Sequence, residues 1–305
     1  MGGKNMRLWR TQIGQVEVLR IEEMLTPGFD PSFLFPDYDP EVLAEHPQLA
    51  QSNFFDQETG KLMSSMHSWM LRVGRHVILI DTACGNDKIR SHPAFQRFHQ
   101  LRKPYLERLA DYGVGPDDVT LVINTHLHVD HVGWNTRLEG EQWVPTFPKA
   151  RYLMGRAEMA HWQDPEQGLR LHPMGAEVLV DSVNPVIEAG LVDLIDFDEE
   201  FLPGISVRAM NGHTAGQLAV HVQSGGQSAL FTGDAFHQPM QVYRPNWSSR
   251  FCENPTQANA TRSALFEEAS ETGAILFPAH AGKPHAGRIE RSARGYTFIP
   301  LNDFS

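Results

Sequence analysis

Four side chains able to bind a cation fall within six residues of this 305-residue chain: His126, His128, Asp130 and His131. Imidazole nitrogens and carboxylate oxygens are donors suited to zinc, iron and manganese. The run directly follows 119–124 (VTLVIN), an apolar stretch of strand length. A strand ending in a tight loop can present His126 and His128 to one ion and turn Asp130 and His131 towards a second. Three more candidates adjoin later apolar runs: His213 in Asn211-Gly212-His213-Thr214, Asp234 in Thr232-Gly233-Asp234, and His280 in Phe277-Pro278-Ala279-His280. Small neighbours, glycine above all, permit the dihedrals and close approach that such loops need. One histidine of this kind reads as structural, but seven ligand-type residues placed this way read as a metal centre.

The elements that must carry these loops alternate between strands and helices. Residues 13–24 alternate well enough for a first strand, and 67–73 with 76–81 read as a hairpin closed near Gly74-Arg75. Residues 93–112 carry a helical pattern that Pro104 interrupts. Later strands are expected at 151–154, 191–196, 205–210, 218–223, 228–232 and 274–277, with helices at 156–162 and 255–272. Interspersed strands and helices imply a layered α/β sandwich. Residues 26–66, rich in Pro, Asp, Phe and Gln, read as an irregular lid or surface extension. The expected organisation is therefore a strand-and-lid segment over 1–66 packed on a catalytic domain over 67–305, forming one structural unit.

The motif His126-x-His128-x-Asp130-His131, followed in order by His213, Asp234 and His280, strongly resembles the metallo-β-lactamase superfamily. Asp81-Thr82-Ala83-Cys84-Gly85 is similar to that family's DTGxG turn, with Ala83 where glycine is common. The resemblance runs from about residue 67 to 285. It implies an αββα sandwich, two mixed sheets flanked by helices, with a two-metal cleft at its edge. Carried over residue by residue, His126, His128 and His213 would hold one divalent ion. Asp130, His131 and His280 would hold the other, and Asp234 would bridge both. Zinc is the default, with iron, manganese or cobalt compatible with the same ligands. The implied chemistry is hydrolysis by a metal-bridging hydroxide, oriented by Asp130 and Asp234.

Departures narrow the branch. Asp234 is generally missing from true β-lactamases of the family. Glyoxalase II-like thioesterases append a helical domain, and the stretch after His280 is too short for one. Flavodiiron-type members replace the histidine that stands here as His128. What remains resembles the lactonase, arylesterase and phosphotriesterase branch, which includes N-acyl-homoserine lactone lactonases and methyl parathion hydrolase. The expected activity is cleavage of a lactone or carboxylic ester, with a phosphotriester or thioester as the alternative. A mononuclear-iron persulfide dioxygenase is the reading from another class. The lactonases often place a tyrosine three residues after the bridging aspartate, where this chain has His237. His237 could donate a hydrogen bond or a proton to substrate, or it could orient Asp234.

Substrate selection falls to flanking loops. Phe33, Phe35, Phe54 and Phe55 in the lid, and Phe236, Met240, Tyr243, Trp247 and Phe251 beyond Asp234, could line a pocket for an apolar or aryl group. They could equally pack a core or an interface. His161 and His172 could border the pocket but read first as surface or packing residues, and His221 reads as structural. For His285 the sequence allows a supporting role beside His280.

Composition excludes several classes. The net charge of −11 argues against a nucleic-acid partner. No apolar run has the length of a membrane span. Cys84 and Cys252 are too few for a disulfide framework, and 1–24 lacks the apolar stretch of a secretory signal. The expectation is a cytoplasmic protein acting on a small-molecule ester or lactone, and the resemblance favours a homodimer.

Overall fold

The computed structural model describes residues 9–301 except 51, 52, 169–171 and 173. The first sheet holds seven strands: β1 (Arg10–Ile13), β2 (Val16–Pro27), β3 (Met63–Val73), β4 (His76–Ile80), β5 (Leu121–Asn124), β8 (Arg151–Gly155) and β9 (Val192–Ile195), in that order. Between β5 and β8 the chain forms a separate hairpin, β6 (Thr136–Glu139) and β7 (Gln142–Pro145). The second sheet holds β10 (Glu200–Leu202), β11 (Ile205–Ala209), β12 (Leu218–Ser224), β13 (Gln227–Gly233), β14 (Ile275–Pro278), β15 (Gly287–Ser292) and β16 (Gly295–Pro300). Both sheets are mixed: β4, β5, β8 and β9 run parallel, as do β13 and β14.

Period-two patterning explains the layering. Trp69, Leu71, Ile78, Ile80 and Ile123 of the first sheet meet Val220, Val222, Phe231 and Phe277 of the second in one buried core. The intervening residues face outwards: Met70, Leu79 and Val122 pack against the helical layer over the first sheet. Leu230 and Leu276 pack against the long helix Pro255–Thr272 through Leu265 and Phe266. The result is the expected αββα sandwich. Asn254 caps the long helix by accepting from the Gln257 amide, and Gly273, at φ 65°, ends it.

Two expected features gain detail. The helical pattern over 93–112 splits into a tight turn of helix at Pro93–Phe98 and an α-helix at Tyr105–Asp111, because Pro104 cannot continue a helix begun before it. The expected strand ahead of the lid is two strands, β1 and β2, both part of the first sheet, and position 66 falls inside β3. Short helices at Pro31–Leu34 and Glu41–Glu45 lie in the irregular part.

The parallel strands converge on one edge. Asp81 follows β4, 125–131 follow β5, Asp234 follows β13 and 279–280 follow β14. Close backbone approach fixes two of these loops. A Cβ at Gly133 would lie 1.9 Å from the carbonyl carbon of Cys84, so the 131–135 loop packs directly on the 82–85 turn. Gly233 takes φ 51° with Thr125 packed against it, which joins the second sheet's loop to the first's.

Candidate metal centre

All seven expected ligands meet at this edge, and they form two groups. His126, His128 and His213 gather on one side with Asp234, and Asp130, His131 and His280 gather on the other. His128 Nδ1 lies 3.0 Å from His126 Nε2 and 2.9 Å from His213 Nε2. The Asp234 carboxylate faces both groups. Its Oδ2 is 3.3 Å from His213 Nε2 and 3.9 Å from His126 Nε2, while its Oδ1 is 3.1 Å from His280 Nε2 and 3.4 Å from His131 Nε2. Asp130 completes the second group, with Oδ2 3.6 Å from His280 Nε2 and Oδ1 3.8 Å from His131 Nε2.

Each imidazole turns its other nitrogen to a support. His131 Nδ1 lies 2.8 Å from Asp81 Oδ2, and His280 Nδ1 lies 3.2 Å from the carbonyl of Ser65. His126 Nδ1 is 3.1 Å from Thr125 Oγ1, and His213 Nδ1 is 3.6 Å from Cys252 Sγ. His128 is reversed: Nδ1 points inwards and Nε2 lies 3.1 Å from His172 Nδ1. Such partners set tautomer and ring orientation, leaving the inward nitrogen as a lone pair.

This donor set fits a pair of cations. Inward nitrogens 2.9–3.0 Å apart are crowded for neutral lone pairs and well spaced for ligands of a shared ion. His131 Nε2 and Asp234 Oδ1 are buried without hydrogen-bond partners, an unusual cost for polar atoms unless another group satisfies them. Burial, reinforced by neighbouring imidazoles, holds His126, His128 and His213 well below the usual histidine range, so they are neutral donors. For Asp234, burial favours the neutral acid, yet the surrounding imidazoles, His280 foremost, bring it well below the ordinary carboxylate value. Burial likewise opposes charge on His131, but Asp234 and Asp81 outweigh it and raise its pKa well above normal.

A cavity of about 540 Å³ opens onto these ligands. Its floor is polar, with His128, Asp130, His213, Asp234, His237 and His280. Its walls are apolar. Phe29, Phe33 and Phe251 pack together with centroids 5.2–6.4 Å apart, and Phe95 extends the cluster. Met174 and Val178 also line it. His237 sits in the floor with Nε2 3.2 Å from Asp234 Oδ2, and neither ring nitrogen has a hydrogen-bond partner.

Of the expected pocket residues around and beyond His237, Phe236, Met240, Tyr243 and Trp247 lie elsewhere. Phe236 packs against Phe266 in the outer core of the second sheet, and Met240 is buried in the same cluster. Trp247 packs against Phe35 and Tyr38. Tyr243 stacks on His46 and its hydroxyl accepts from Gln48. The cause is local: Gln241 Oε1 accepts from the His237 and Gln238 amides while Nε2 donates to the Trp247 carbonyl. This coils the segment behind the site. Phe35, Phe54 and Phe55 are core residues, so of the aromatics expected in the two segments Phe33 and Phe251 reach the cavity, joined by Phe29.

Of the other histidines, His161 and His172 depart from the surface or packing role read first for them, while His221 keeps its structural one. His172 lines the cavity, and His161 and His172 share Glu253. His221 bonds Ser228 across β12 and β13 as a structural residue, and His285 Nδ1 faces the Ala281 carbonyl. Asp81 lies in the turn motif read above, but its contact with His131 depends on β4 and β5 being neighbours. Glu253 carries no motif at all.

The chain belongs to the metallo-beta-lactamase superfamily, whose pattern it matches over residues 65–280. Two curated relatives, each an N-acyl homoserine lactonase AiiB, come from Agrobacterium fabrum and Rhizobium rhizogenes. Each is 27% identical over 177 residues, a match covering 51% of this chain and 57% of the relative. The same fold occurs in the hydrolase AbOPH of the beta lactamase superfamily, with TM-score 0.80, 22% identity and 98% of both chains covered. It also occurs in AidC, a dizinc quorum-quenching lactonase seen with a product, with TM-score 0.79, 19% identity and 98% of both chains covered. A probable metal-dependent hydrolase from Staphylococcus aureus shares it at TM-score 0.77 and 17% identity, over 97% of this chain and 100% of that one. No helix among the described residues is long and apolar enough to cross a membrane.

Proposed function

We propose that this protein is a dinuclear-metal hydrolase that cleaves a lactone or carboxylic ester bearing an apolar or aryl portion. The observation that carries this reading is the Asp234 carboxylate, whose two oxygens face two separate imidazole groups at the floor of an apolar cavity. Two divalent cations held there would supply hydroxide at neutral pH and positive charge to polarise a carbonyl. His126, His128 and His213 would hold one cation and Asp130, His131 and His280 the other, with Asp234 facing both groups. Zinc suits the nitrogen-rich set. The relatives named as lactonases point to the same bond.

The chain's own residues do the remaining work. Phe33, Phe95 and Phe251 take up the apolar portion and exclude water from it. Asp130 and Asp234 accept hydrogen bonds from the attacking water and fix its direction. His237 stands in the floor with free ring nitrogens, placed to donate a hydrogen bond to the carbonyl oxygen or a proton to the leaving alkoxide.

The test is proton release by zinc-loaded protein on a panel of lactones, aryl esters, thioesters and phosphotriesters, with Asp234→Asn in parallel. Turnover confined to one class and lost in the variant, together with a cation, is the expected outcome. Metal-replete protein that is silent across the panel would send the assignment to oxygen uptake with persulfides.

A further inference from the structure

Besides the Asp81–Thr125 support, a second buried polar cluster outside the seven residues touches the centre. His172 Nε2 lies 2.6 Å from Glu253 Oε1, and His161 Nε2 lies 3.1 Å and 3.0 Å from the two oxygens of the same carboxylate. The side chains of His161, His172 and Glu253 are 6%, 12% and 8% exposed, so water competes little for these bonds. The Trp162 indole lies flat on the His172 ring at 4.5 Å and 2°, which fixes its plane.

The protons in this cluster can be assigned from contacts alone. His128 Nδ1 faces the His126 and His213 nitrogens, so it is the lone-pair nitrogen and Nε2 carries the hydrogen. That hydrogen points at His172 Nδ1, 3.1 Å away, which must accept. His172 then carries its own hydrogen on Nε2 and donates it to Glu253. One arrangement satisfies every bond from the ligand to the carboxylate. The same residue also braces a second ligand: the Glu253 amide donates to the His213 carbonyl at 2.9 Å, and the next amide, Asn254, donates to Gly212.

We propose that Glu253, acting through His172, is a positioning residue that holds His128 in its reversed tautomer and tunes the first cation site. This inference rests on the cation-binding reading of the centre. His161 holds the same carboxylate through both of its oxygens. The device is built from the helix Arg156–Gln163, the segment carrying His172, and the loop after Phe251, so it lies outside the loops that supply the ligands.

The experiment is competition of zinc binding against a chelator, with the visible absorption of cobalt(II)-loaded protein as a second readout. Wild-type protein is compared with Glu253→Leu, His172→Phe and His172→Gln, after metal-free melting shows which variants fold as the parent does. The expected result is two cations in wild type, with one weakened about 10- to 100-fold in Glu253→Leu and His172→Phe and an altered cobalt spectrum. His172→Gln, whose amide oxygen can accept from His128, recovers most of the loss. Unchanged affinity and spectrum in Glu253→Leu and His172→Phe would overturn the proposal, as would equal loss in both His172 variants. A third cation bound by wild type and lost in Glu253→Leu would also overturn it, making the cluster itself a metal site. No cation bound by wild type at all would instead sink the reading of the centre.

Discussion

Asp81 Oδ2 lies 2.8 Å from His131 Nδ1, although the two residues follow different strands and stand fifty positions apart. The same carboxylate accepts the Thr125 amide at 2.7 Å and the Thr125 hydroxyl at 2.9 Å. One side chain therefore ties the start of the ligand loop to its end. Asp81→Ala would leave buried donors unsatisfied and free the His131 ring. Metal-free stability should fall by on the order of 3 kcal/mol, and cation affinity at the second group by about 10- to 100-fold. Chemical unfolding and metal titration measure the two effects separately. A variant that lost stability but kept its affinity would show that Asp81 braces the loop without orienting the ligand.

His237 offers a cleaner separation of roles. Its ring nitrogens are unpartnered, and it stands beside Asp234 in the cavity floor. If it serves the substrate, His237→Ala should bind two cations as the parent does and lose about 100-fold in kcat. His237→Tyr, which restores a donor, should recover part of that loss. Metal content measured alongside kcat decides the matter: cations lost in His237→Ala would make it an orienter of Asp234 instead.

The seven candidate ligands were legible in the sequence because His126–His131 follow an apolar run and His213, Asp234 and His280 adjoin others beside small residues, a local signal that survives without a structure. The sandwich was legible for the same reason, since period-two strands and their spacing are local. The cavity wall was not. Phe236, Met240, Tyr243 and Trp247 have the composition of a pocket, but the Gln241 side chain folds their segment back on itself. The aromatics that line the cavity come from four distant segments, as Phe29 with Phe33, Phe95 with Phe98, Trp162, and Phe251. Likewise the partnership of His172 with Glu253 joins residues 81 positions apart. Only tertiary packing creates such pairs, and residue type alone does not announce them.

Phe251 lines the cavity and contacts both Phe29 and Phe95, so it governs the width of the apolar wall. Truncating it removes contact with an apolar substrate portion worth about 1.5–3 kcal/mol when fully buried. For the best substrate of the panel, Phe251→Ala should raise KM about tenfold or more while leaving kcat within about twofold. Steady-state kinetics across a series of lengthening acyl chains would check this. A flat response along the series would place the acyl portion elsewhere.

Lys88 provides a pH signature remote from the ligands. It is fully buried, with Nζ donating to Thr136 Oγ1 and to the Asp181 carbonyl, both at 2.8 Å, and lying 3.8 Å over the Trp143 ring. Two donated hydrogen bonds are within reach of a neutral amine. Burial pushes its pKa down to about 7 against the opposing pull of Asp181, which Arg90 also pairs. In the unfolded chain the value returns to about 10.4. Between these two values the unfolded chain holds a proton that the folded chain has released. Stability from this residue therefore rises with pH across that window, by about 1.4 kcal/mol per pH unit. Lys88→Met removes the titration while keeping an unbranched chain of similar length. Urea unfolding of both proteins at pH 7.5, 8.5 and 9.5 should show wild type gaining on the variant at about that slope (values set by the window above). A difference that stayed constant over the series would mean that Lys88 keeps its charge in the fold and that Asp181 outweighs burial.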